Sequence, residues 1–203
     1  MCPRSDDDSS SRLACRPDRP EPNEFSPAER RLLLQLAHEA IARTLEQREL
    51  LLIPPSLHLA EPRGAFTTLY YRGGLRGCVG YVYPTTPLYR TVAESACGAA
   101  FNDSRFAPVA REEAPELEVS LSVLSPPELI QSEEVEIGRH GLLVSLGAYR
   151  GLLLPQVPME HGWDRIAFLE QTCRKAGLPL NAWQTGAKLE AFTAEVFGDR
   201  IVK

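Results

Sequence analysis

The stretch RGGLRGCVGY, residues 72–81, places Arg76 two positions before Cys78 and sets Gly73, Gly74, Gly77 and Gly80 around them. A strand over residues 75–81 sends Arg76 and Cys78 to one face, about 7 Å apart at Cα, and Leu75, Val79 and Tyr81 to the other. A guanidinium beside a thiol favours the thiolate, the nucleophilic form of cysteine. Glycines inside a strand, here Gly77 and Gly80, mark a bulge or a place where a ligand or another backbone comes close. Two chemistries follow. In one, a glycine-floored groove presents Cys78 as a nucleophile with Arg76 holding an anionic group. In the other, Cys78 packs, the glycines relieve crowding and Arg76 pairs with an acid. Spacing leaves both open.

Other polar sets carry the same ambiguity. In FNDSRFAPV, Asn102, Asp103 and Arg105 follow a helical pattern between Phe101 and Phe106, so a loop either brings them into a cleft or forms a capping turn. In GRHGL, His140 opens a strand, where an imidazole titrates near neutrality and orients a ligand, or else faces solvent in a turn. Glu160, His161 and Asp164 in PMEHGWD fit a polar site and a helix start equally well.

Several function classes find no support. The net charge of −5 leaves no basic footprint for nucleic acid. No apolar run approaches the roughly 20 residues that cross a bilayer, and the first residues have no apolar core for a secretion signal. RLAC, at residues 12–15, would mark lipoprotein processing only behind such a core. The expectation is a cytoplasmic protein. Five cysteines, odd in number and scattered, make no disulfide framework and contain no CxxC. Four histidines show no metal spacing, so no metal site is expected. GGLRG lacks the dinucleotide fingerprint, and neither a P-loop nor a GxSxG elbow occurs.

The elements that must position these residues are legible in outline. Residues 1–24, rich in Pro, Asp, Ser and Arg, read as a disordered tail. Ser26, Pro27 and Glu29 then form a capping box that starts a helix with Leu33, Leu36, Ala37, Ala40 and Ile41 on its buried stripe and His38 on its surface. GAFTTLYYRGGLRGCVGYVYP reads as a hairpin turning at Gly73-Gly74. Thr86 caps a second helix with Pro87 in its first turn, and Leu88, Val92, Ala96 and Ala99 face the core beside Cys97. ELEVSLSVL alternates as a half-buried strand, and a second hairpin turns between Gly147 and Gly151. A helix buries Ile166, Leu169 and Cys173 and stops at Gly177, and LEAFTAEVF returns to a sheet. Strands arranged as hairpins with flanking helices predict an α+β fold with mainly antiparallel sheet.

The blocks LRGCVGY, AAFNDSRFAPV, ELEVSLSVLSPPELI, GRHGLLV, RGLLLPQV and KAGLP, in this order, resemble the AMMECR domain family, in particular its prokaryotic branch, system protein A of the AmmeMemoRadiSam set. The resemblance spans roughly residues 25–200, so the expected organisation is a tail over 1–24 and one AMMECR-like domain over 25–203. It implies two lobes around a cleft, with LRGCVG as a proposed active or ligand site. Cys78 and Arg76 carry over as motif residues, with Gly77 and Gly80 as motif glycines. Asp103, Arg105 and Phe106 form the D.RF loop, and His140 and Gly141 the HG pair. Tyr83 departs from the small or acidic residue usual near this position and is expected to narrow the groove. The family name implies a small-molecule ligand and two partners, a Memo-like protein and a radical S-adenosylmethionine protein, to which any iron or cluster would belong. The chain itself names no cofactor. As an enzyme it would use Cys78 to attack, Arg76 to hold an anion and His140 or Asp103 to move a proton; as a binding module it would use the same groove without chemistry.

Overall fold

Ser26 turns the chain into the first helix as its capping box demands. In the computed structural model, which describes residues 24–200, Ser26 Oγ accepts the Glu29 N–H at 3.3 Å and the Glu29 carboxylate accepts the Ser26 N–H at 3.0 Å. The helix, α1 (Pro27–Leu45), buries Leu33, Ala37, Ala40 and Ile41. Of the expected tail over residues 1–24, residues 1–23 lie outside the described residues, and Glu24 is ordered, its carboxylate accepting Arg63 Nη2 at 2.9 Å. A second helix, α2 (Leu88–Cys97), buries Leu88, Val92 and Ala96 beside it. Pro87 is its N-cap in place of Thr86, whose hydroxyl instead meets that of Thr91 at 2.8 Å. A single π-helical turn, Gly98–Asn102, extends α2 toward the strands.

Both helices cover one face of a four-stranded antiparallel sheet built from β1 (Gly64–Tyr71), β2 (Gly74–Tyr81), β3 (Leu117–Leu124) and β8 (Ala194–Gly198), in the order β2-β1-β3-β8. Alternation sends Ala65, Leu69, Val119, Leu121 and Val123 into the helix-side core. The β1–β2 reversal sits one residue earlier than the glycine pair implied. Arg72 and Gly73 take the positive φ angles, 50° and 81°, of a mirror-image two-residue turn, and Gly74 begins β2.

The second sheet is built from β4 (Glu128–Leu129), β5 (Gly141–Leu146), β6 (Tyr149–Leu153) and β7 (Lys188–Phe192), in the order β4-β7-β5-β6. After a short helix, α3 (Gln156–His161), comes α4 (Arg165–Lys175), which covers this sheet. Asp164 fixes its register by accepting the Ala167 N–H at 2.8 Å. Phe168, Leu169, Thr172 and Cys173 then face the core, while Ile166, expected inside, is 44% exposed.

The run LEAFTAEVF, expected as one strand, is two. β7 belongs to the second sheet and β8 to the first, with Thr193 at the crossing. The chain also crosses between β3 and β4 at Ser125, and the two crossings are stitched: Ser125 N–H donates to Thr193 C=O at 3.0 Å and Thr193 N–H to Ser125 Oγ at 2.9 Å. Each sheet thus has its own core and one face away from its helices. On each such face a phenylalanine ring lies across a cross-strand glycine, Phe66 over Gly80 and Phe192 over Gly141. The architecture is α+β and antiparallel, with a cleft of about 450 Å³ where Gly80 of one sheet meets Leu143 and Leu152 of the other.

The start of α1 is tied to the segment that precedes β1 through His58. Its ring stacks on Phe25 with centroids 4.9 Å apart, and its nitrogens lie 2.9 Å from Glu29 and 3.4 Å from Glu24. Burial opposes the imidazolium, but the bonds to Glu29 and Glu24 outweigh it and raise the His58 pKa above its ordinary value. Stability from a raised pKa is fully present below the unfolded pKa and is lost as pH rises through the folded one. His58→Gln should therefore lower the melting temperature more near about pH 5.5 than near about pH 9. Equal losses at the two pH values would show that the charged imidazole does not hold this corner.

Candidate functional site

β2 is an edge strand, so half of its backbone groups need partners from outside the sheet. At Cys78 the loop that follows the π-helical turn supplies both. Cys78 N–H donates to Asp103 Oδ2 at 2.8 Å, and Arg105 Nη2 donates to the Cys78 C=O at 3.3 Å. With both groups turned away from β1, Cys78 and its register partner Thr68 form a non-hydrogen-bonded pair, the arrangement in which facing side chains come closest. Thr68 Oγ1 accordingly donates to Cys78 Sγ at 3.3 Å. The thiol is half-buried on the face away from the helices, next to Thr68 and, one strand further, Ser120.

Asp103 is the anchor. Its side chain is 6% exposed and accepts Arg105 Nη2 at 2.7 Å and Nε at 2.9 Å besides the Cys78 N–H. The Arg105 guanidinium first, and the Cys78 N–H second, hold its carboxyl well below the usual carboxylate range. A carboxylate so stabilised is a weak proton acceptor, so the expected proton-moving role of Asp103 is corrected to an anchoring one. Arg105 stays 55% exposed and lies over the Phe106 ring, and the Asp103 carboxylate raises its pKa above the ordinary value.

Arg76 does not hold an open position. Its Nε and Nη2 reach the two Glu113 oxygens at 3.0 and 2.9 Å, its Nη1 reaches the Ala107 C=O at 2.8 Å and its Nη2 the Pro108 C=O at 3.2 Å. The expectation that it grips an anionic ligand is corrected: it grips the loop. Glu113 in turn accepts the Ala110 N–H at 2.7 Å, which shapes the same loop. Gly77 is also reassigned. It faces the helices, where a Cβ would collide with the Ala99 carbonyl, so it admits the π-helical turn and does not floor a groove. Gly80 does share the face of Cys78; the Phe66 ring covers part of it, and it borders the cleft. His140 is in the turn before β5 of the second sheet, where its Nδ1 accepts the Glu136 N–H at 3.1 Å. Thr68 and Ser120 carry no motif signal in the sequence, although both occupy polar positions alternating with buried ones on their strands.

Among the described residues, no three His, Cys, Asp or Glu side chains gather to hold a metal ion, and no helix is long and apolar enough to cross a membrane. Two helix-backed antiparallel sheets that exchange strands, with a cysteine pinned on the edge strand of one, define the class of protein. Residues 34–197 match the AMMECR1 family model, and the chain belongs to that family. It is 44% identical over 177 residues to a protein of Methanopyrus kandleri, covering 81% of this chain and 86% of that one. It is 42% identical over 179 residues to a protein of Thermococcus kodakarensis, covering 81% and 87% of the two chains. The crystal structure of an uncharacterized protein from Pyrococcus horikoshii has the same fold, with a TM-score of 0.74 and 43% identity over 83% of this chain and 90% of that one.

If Arg76 is a clamp, its loss is a loss of stability. Arg76→Gln should cost about 1.5–3 kcal/mol of unfolding free energy at neutral pH, the worth of a hydrogen-bonded charged group. An unchanged denaturant midpoint would restore Arg76 to the ligand-holding role.

Proposed function

We propose that this chain is a small-molecule-handling protein that holds its ligand on the Cys78 face and works beside a Memo-like and a radical S-adenosylmethionine protein. The observation that carries the reading is the fixation of Cys78: Asp103 and Arg105 take both of its backbone groups, while among the described residues its sulfur has one hydrogen-bond partner, the Thr68 hydroxyl. A main chain held so firmly around a half-buried thiol suits presentation to a ligand better than core filling. The partners rest on the family resemblance alone.

Binding without covalent chemistry is the preferred form. Among the described residues no imidazole or carboxylate is bonded to the sulfur, and Asp103, the nearest carboxylate by bonding, is held ionised by Arg105. The Thr68 hydroxyl on the sulfur and the Arg105 guanidinium on the Cys78 carbonyl favour a second form, in which Cys78 is a nucleophile.

The test is metabolite turnover by mass spectrometry with the purified chain, alone and mixed with Memo-like and radical S-adenosylmethionine partners. The proposal expects a product that requires this chain, formed equally by wild type and Cys78→Ser. Product lost with Cys78→Ser, while the variant's folding is unchanged, would replace the binding form by the nucleophilic one. No turnover dependent on this chain in any mixture would overturn both.

A further inference from the structure

The cleft between the sheets has walls of unlike chemistry. Tyr81 and Tyr83, on the chain leaving β2, stand 45% and 37% exposed on one side, and Leu143 and Leu152 line the other. Gly80 and Gly151 line it with backbone, Gly80 beside the Phe66 ring and Gly151 with its Cβ position turned toward Ala176 at the end of α4. A volume of about 450 Å³ is that of a small-molecule site. Tyr83, which the sequence marks as a departure expected to narrow the groove, instead forms part of its wall.

One charge at this cleft is unmatched. Arg150 of β6 lies with its guanidinium 5.7 Å from the centre of the Tyr83 ring, and among the described residues it has no carboxylate within ion-pair distance. The other two charged side chains on this face of the second sheet cancel: Lys188 Nζ donates to Glu190 Oε1 at 2.8 Å. The tyrosine holds the cation near its ring, and the guanidinium N–H donors bond to no described residue, so they can receive a carboxylate, sulfonate or phosphate in two parallel bonds. The tyrosines and leucines beside it accept a flat unsaturated body by stacking and apolar contact.

We propose that this cleft binds a planar, unsaturated small molecule bearing one anionic group, the anion on Arg150 and the ring system between the tyrosine and leucine walls. This deepens the reading that the chain handles a small molecule, since it names the molecule's class and moves the anion-holding role from Arg76 on β2 to Arg150 on β6. Gly80 borders both the cleft and the Cys78 face, so a ligand seated here extends toward the thiol.

The test uses two fluorescent probes on the full chain, 1-anilinonaphthalene-8-sulfonate and its uncharged parent N-phenyl-1-naphthylamine. Arg150 is exposed and, among the described residues, its guanidinium meets only the Tyr83 ring, so Arg150→Met, which keeps the apolar stem, should melt like wild type. The proposal expects the sulfonate to bind wild type near one-to-one and Arg150→Met about tenfold or more weakly, with the uncharged parent changed by less than about twofold. Tyr83→Ala should weaken both probes. A sulfonate affinity unchanged by Arg150→Met, or both probes weakened alike by it, would overturn the anionic class while leaving the Cys78→Ser turnover result as it stands. Failure of both probes to bind wild type would overturn the cleft as a ligand site.

Discussion

The carboxylate of Asp103 is the constraint on which the site depends. An edge strand exposes N–H and C=O groups that must find partners, and β2 finds them in a loop that is not a strand. Asp103 takes the Cys78 N–H, and Arg105, itself held by Asp103, covers the Cys78 C=O. Arg76 closes the lacing from the other side by binding Glu113 and the Ala107 and Pro108 carbonyls. The strand fixes the loop and the loop fixes the strand. The motif residues divide the work among themselves, for Arg76 clamps, Gly77 admits Ala99, Val79 packs against Gly98, and Gly80 lies under Phe66. Cys78 alone offers a side chain whose one hydrogen-bond partner among the described residues is a hydroxyl.

The second constraint is the exchange of strands between sheets. Because β3 leads to β4 and β7 to β8 through adjacent crossings at Ser125 and Thr193, the two sheets cannot part at this seam without breaking backbone hydrogen bonds. The cleft's walls, Gly80 on one sheet and Leu143 and Leu152 on the other, follow from strand register. Phenylalanine rings laid over glycines on both faces replace the side chains those glycines lack, and they keep the strands packed where no helix covers them.

Local chemistry is legible in the sequence and distant partnership is not. The capping box at Ser26 and Glu29, the two hairpins and the alternation of Leu117 to Val123 all concern residues a few positions apart, and each stands as the sequence implies but for the first hairpin's turn, which is displaced by one residue. Arg76 and Cys78 do share a strand, but the fate of the guanidinium is set by Glu113, 37 positions away, which no local pattern advertises. Gly77 and Gly80 have the same composition and opposite faces, so only the packing of Ala99 and Phe66 tells them apart. In LEAFTAEVF the alternation continues through a change of sheet, because a strand obeys the same period in either. The motif's spacing draws the eye to Cys78 and to an arginine near it; the arginine bonded to the Cys78 main chain is Arg105, 27 positions on, while Arg76 answers to Glu113.

If Asp103 is what holds the edge strand, removing its carboxylate should free the backbone of Cys78 before it disturbs either core. Amide hydrogen exchange of Cys78 in Asp103→Ala, followed against the amides of α4 in the same sample, tests this directly. The account predicts that the Cys78 amide exchanges about a hundredfold or more faster than in wild type while the α4 amides keep their protection. A Cys78 amide that stays as slow as in wild type would contradict it, since some other group would then be holding the strand.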